Sequence, residues 1–67
     1  MIEPLDVYRV NEDKLNVWIS GTVTLVDALE TIRRKGPGEY LIVSQRTGHE
    51  YLYEVAVDGH VVFRKRT

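Results

Sequence analysis

EYLIVSQRTGHEYLYEVAVDGHVVFRKR, residues 39–66, decides the fold. It reads as three consecutive strands, 39–45, 50–57 and 60–66, divided by the turn signals Thr47-Gly48 and Asp58-Gly59. Asp-Gly suits the type I′ turn of a two-residue hairpin. With both turns that tight, Val55 faces Val62, Tyr53 faces Arg64 and Tyr51 faces Arg66, while Ser44 faces Tyr51, Ile42 faces Tyr53 and Tyr40 faces Val55. Strand side chains alternate. One face therefore carries Tyr40, Ile42, Tyr51, Tyr53, Val55, His60, Val62, Arg64 and Arg66. The other carries Leu41, Val43, Glu50, Leu52, Glu54, Ala56, Val61 and Phe63. Neither face is polar throughout, unlike a sheet with one wet side.

Upstream, LDVYRV (5–10) and LNVWIS (15–20) are β-rich, with the turn formers of NEDK (11–14) between them. That loop can hold three or four residues, which leaves the register of the first hairpin open. One helix follows. Thr24 is a good N-cap, and Asp27 completes a capping-box-like TLVD, with Val23 and Ala28 placed as a hydrophobic staple. Leu25, Ala28, Leu29 and Ile32 form one apolar stripe at helical spacing. Glu30 and Arg34 make a favourable pair, and Arg33, Arg34 and Lys35 suit the negative end of the helix dipole. Gly36 offers a left-handed cap and Pro37 forbids continuation, so the helix spans about 24–35.

The expected architecture is a single α+β domain over residues 1–67, ββαβββ, with one helix on one face of a four- to five-stranded, mostly antiparallel sheet. In element order and spacing it resembles the β-grasp (ubiquitin-like) arrangement; the resemblance brings no site residues with it. A twelve-residue helix is about 18 Å long and about 10 Å wide, whereas five strands make a face of roughly 24 by 20 Å. One helix covers about half of one face. The face of Leu41, Val43, Leu52, Ala56, Val61 and Phe63 is the expected seat of the helix, because those side chains lack polar tips. The tyrosine and arginine face is then left free.

Composition narrows the function classes. The chain has 67 residues, 43% apolar and 28% charged, typical of a globular protein near the small end of what a hydrophobic core alone can hold. With no cysteine it has no disulfide or thiolate staple, which makes a reducing, cytoplasmic setting the expectation. MIEPLDVYRV lacks the basic start and apolar run of a signal peptide, and no stretch approaches a membrane span. Net charge is −1, but residues 1–30 hold six acids against two bases and residues 31–67 seven bases against four acids. That split can steer a charged partner or stitch the two halves of one fold together.

Catalytic signals are thin. GPG (36–38) is a helix stop rather than a phosphate loop, and Ser20 and Ser44 lack a nucleophile elbow. His49 and His60 fall at turns on opposite ends of one strand and cannot share a metal. Asp27 and Glu30 are explained by the cap and by Arg34. The cluster above background is Tyr51, Tyr53, Arg64 and Arg66, with Tyr40 and His60 on the same face and Trp18 as a further candidate. Tyrosine and arginine are the side chains of interface hot spots. The expected function is a small non-catalytic protein-interaction module, acting as homodimer, adaptor or inhibitor, with no cofactor, metal or membrane partner. The alternative is single-stranded nucleic acid, whose bases stack on rings while arginines meet phosphates.

Overall fold

The computed structural model describes residues 3–13 and 15–66, so Lys14 of the first loop lies outside the described residues. Among these residues the element order is the expected ββαβββ: β1 (Leu5–Val10), β2 (Asn16–Thr22), α1 (Leu25–Lys35), β3 (Gly38–Ser44), β4 (Glu50–Val55) and β5 (Val61–Arg66). The strands form a five-stranded sheet in the order β2-β1-β3-β4-β5, antiparallel at every pairing. β3 is thus central and β1 lies between it and the edge strand β2, and α1 links the two strands that flank β1.

The helix starts as its caps require. Thr24 Oγ1 accepts from the Asp27 amide at 3.1 Å. Glu30 meets both Arg33 at 3.0 Å and Arg34 at 3.5 Å, where only the second pair was expected. At the far end the Gly36 amide reaches the Ile32 carbonyl at 3.3 Å. Gly36 has φ 102° and ψ −172°, an extended positive-φ conformation that is almost restricted to glycine, rather than the left-handed helical one.

The helix lies over β1 and β2, on the face opposite to the one expected. The buried core is Leu5 and Val7 of β1, Ala28 and Ile32 of α1, Tyr40 and Ile42 of β3, and Val55 of β4. Carboxylates explain the choice. A helix seated on the Leu41 face would cover Asp6 of β1, Glu39 of β3 and Glu50 and Glu54 of β4, each at a desolvation cost that no hydroxyl approaches. The polar tip of Tyr40 is no obstacle, because its hydroxyl donates to the Gly36 carbonyl at 2.8 Å just beyond the helix.

Both downstream hairpins depart from the tight-turn register. Between β3 and β4 the Ser44 amide bonds the His49 carbonyl at 2.9 Å, and the Gly48 amide bonds the Ser44 carbonyl at 2.8 Å. Residues 45–48 form the loop, and Ile42 opposes Tyr51 while Tyr40 opposes Tyr53. This slip of two residues leaves every side chain on its expected face. Between β4 and β5 the slip is one residue. Ala56 and His60 close a three-residue loop whose last member, Gly59, has φ 94°. Val55 then opposes Val61 and Tyr53 opposes Phe63, which moves Val61 and Phe63 to the helix side. An irregularity beyond Tyr53 restores the expected Tyr51–Arg66 pairing and leaves Arg64 without an opposite residue.

Candidate interaction surface

The side of the sheet away from α1 is built from alternate residues of β1, β3 and β4 and their edge neighbours. In register, Trp18 of β2 opposes Tyr8, Tyr8 opposes Leu41, and Leu41 opposes Leu52. An apolar row therefore crosses four adjacent strands, ending against Lys65 of β5. Val43 flanks the row on one side, Val10 and Val62 on the other. Trp18 is 58% exposed and Val62 39%, while Tyr8, Leu41 and Leu52 are half-buried by their neighbours in the sheet. No helix or loop among the described residues is packed over them.

The rim of this face is acidic. Asp6 and Glu50 flank Val43, and Glu39 and Glu54 flank the Val10 end. Asp6 Oδ1 accepts from Gln45 Nε2 at 3.0 Å and from the Trp18 indole at 3.5 Å, which ties the ring to its own strand neighbour. Arg64 turns to this side as well, with its Nε 2.8 Å from Glu54 Oε1. Four carboxylates thus stand against Arg64 and Lys65.

The seven residues singled out from the sequence do not form one surface. Tyr40 is fully buried beneath the sheet's helix side, with the Arg9 guanidinium 5.4 Å from its ring centroid. It is core, not docking surface. Tyr51 and Tyr53 stay together on the helix side, half-buried past the end of α1, where with Glu3, Leu5 and Leu25 they line a cleft of about 150 Å³. Burial there, aided by the neighbouring Tyr51, pushes the Tyr53 phenol above its ordinary pKa. Tyr53 meets Phe63 edge-on at 5.4 Å, so the expected Tyr53–Arg64 ladder is replaced by an aromatic pair, a direct result of the one-residue slip. Arg66 stands opposite Tyr51, and Arg64 has crossed to the other face. His60 sits in its turn, its amide 3.1 Å from Asp58 Oδ1 and its ring Nδ1 2.7 Å from Asp58 Oδ2. Those bonds hold the Asp58 carboxyl below its usual range, the backbone amide of His60 being the larger cause. Trp18 alone lies on the apolar row.

Tyr8, Leu41 and Leu52 were missed as surface residues. The signal that finds them is the position of Asp6, which commits the Leu5 and Val7 side of β1 to the core and the Tyr8 side to the outside. No group of three or more His, Asp or Glu side chains suited to a metal ion occurs among the described residues. No helix there is long and apolar enough to cross a membrane. Comparison with protein-family models, curated proteins and solved structures found no match for the chain.

Proposed function

We propose that the protein is a small, non-catalytic interaction module that docks another protein on the uncovered face of its sheet, acting as an adaptor or inhibitor. The observation that carries this reading is the apolar row Trp18–Tyr8–Leu41–Leu52, which spans four strands on the side of the sheet away from α1. A face of roughly 24 by 20 Å is below the about 800 Å² per partner of a standard interface, which puts the complex in the small, transient class. The partner's chemistry follows from the rim. Asp6, Glu39, Glu50 and Glu54 outnumber Arg64 and Lys65, so the complementary patch is apolar at its centre and ringed by lysine or arginine. A cysteine-free chain suits a reducing cytoplasmic setting.

The test is affinity capture with the unaltered chain and with a Trp18→Ala/Leu52→Ser variant whose circular dichroism is unchanged. Loss of the captured protein from the variant supports the reading, and equal capture by both sinks it. The nucleic-acid alternative is checked by titrating a labelled single-stranded oligonucleotide at two salt concentrations. Four carboxylates oppose a phosphate backbone on this face, and salt-dependent binding abolished by the same variant would replace the protein partner with a nucleic-acid one.

A further inference from the structure

The two edges of the sheet differ in chemistry. β5 ends in Arg64-Lys65-Arg66, the run of charge that discourages strand pairing. The other edge, residues 15–22 (LNVWISGT), contains no charged residue and no proline. Leu15, Val17 and Trp18 on it are 63%, 53% and 58% exposed. Its one irregularity is the slip around Ile19, which leaves the stretch from Leu15 to Trp18 as a regular ladder.

The direction of the backbone along that stretch can be read from its first contacts. The Leu15 amide donates to Asn11 Oδ1 and the Leu15 carbonyl accepts from the Asn11 amide, both at 3.1 Å, so Leu15 faces its own sheet. Alternation then turns the N–H and C=O groups of Asn16 and Trp18 outward. We infer that this edge accepts a second copy of the same chain, β2 against β2, antiparallel about a two-fold axis through Val17. Asn16 of each copy then exchanges two backbone hydrogen bonds with Trp18 of the other, four in all. Antiparallel self-pairing is the closed, isologous arrangement of a strand edge. Charge selects the occupant: an uncharged strand meets its own copy without like-charge contact, whereas β5 against β5 would bring two Arg-Lys-Arg runs together. The product is a continuous ten-stranded sheet in which Trp18 of each copy stands opposite Asn16 of the other, so the two apolar rows lie on one face, offset by two residues across the axis. The edge contact is independent of what binds the sheet face, so each reading can fail alone.

The geometry names its own probe. At a non-hydrogen-bonded antiparallel site, Val17 and its symmetry mate have Cα atoms about 4.5 Å apart, within the reach of a disulfide. The chain has no cysteine, so single-cysteine variants report without background. With oxidised glutathione, Val17→Cys is expected to form a covalent dimer rapidly and Lys65→Cys to remain monomeric at the same concentration. Light scattering is expected to give twice the 7.7 kDa chain mass for the unaltered protein. Val17→Lys, whose side chain is solvent-accessible, should weaken that dimer about tenfold or more with unchanged circular dichroism. A monomer at every concentration overturns the inference. So does a dimer that survives Val17→Lys, or one in which Lys65→Cys crosslinks as fast as Val17→Cys.

Discussion

Tyr40 shows how a residue with a polar tip becomes core. Its ring is enclosed by the sheet and α1, and its hydroxyl ends on the carbonyl of Gly36 at 2.8 Å. Tyr40→Phe keeps the ring and orphans that carbonyl, for an expected loss of about 1 kcal/mol, whereas Tyr40→Ala also opens a cavity and should cost about 3–5 kcal/mol. Urea unfolding of the two variants separates the contributions, and equal losses would mean the hydroxyl bond is the whole effect. Tyr53 makes a prediction of a different kind. Its folded pKa is raised by burial, so its contribution to stability is intact below pH about 10 and is lost as pH climbs through the folded value. Denaturation midpoints on either side of that pH should fall less in Tyr53→Phe than in the unaltered chain. Asp58 is the opposite case: its lowered pKa adds stability above the ordinary carboxylate range that is lost as pH falls. Neither burial nor partner was legible for these side chains beforehand. The residue types were visible in the sequence, but Tyr40 and Tyr53 owe their surroundings to which face α1 chose.

Elements were legible to the extent that local chemistry governs them. The helix needed only Thr24, the apolar stripe and Gly36, all local, and it begins and ends where those residues say. Turns were read less well, because Asp58-Gly59 fits a two-residue type I′ loop and equally the last two positions of a three-residue loop. The second solution occurs, with Gly59 at φ 94° and open space around the position of a Cβ. Gly59→Ala should therefore act through backbone strain alone and cost about 1–2 kcal/mol in thermal or urea unfolding. A neutral result would show that the loop relaxes to a turn with no positive φ at residue 59, since a two-residue type I′ loop needs one there as well. A two-residue slip at β3–β4 leaves the faces unchanged, whereas the one-residue slip at β4–β5 reverses four side chains, Val61, Val62, Phe63 and Arg64.

At the scale of the whole molecule, the order of elements was legible and the side of the sheet that α1 covers was misread. Comparing the two faces by the absence of polar tips favoured Leu41 and Val43. Comparing them by carboxylates reverses the result, since Asp6, Glu39, Glu50 and Glu54 all lie on that side. A hydroxyl is satisfied by one acceptor, whereas an ionised carboxylate needs water or a full complement of donors. The acidic rim also sets a kinetic expectation. If a basic-rimmed partner binds the Trp18–Leu52 row, its association rate should drop as ionic strength rises from about 0.01 to 0.15 M, while dissociation changes little. Stopped-flow measurement checks this, and a salt-independent rate would remove the rim from the recognition.

The interior place of β1, between β2 and β3, has a consequence for the order in which the chain can commit to its structure. Of the five strands described, β1 precedes the others in the chain, and it is flanked by β2, which follows at once, and by β3, which arrives only after the helix. The β1–β2 hairpin and α1 can form early as local units, yet Leu5 and Val7 wait for Tyr40 and Ile42, and the core closes only with Val55. On the ribosome, a chain stopped before β4 would display the open side of β3 beside an unfinished core. The core therefore cannot close before Val55 is present, and the slow step of folding is expected to be that late, long-range closure.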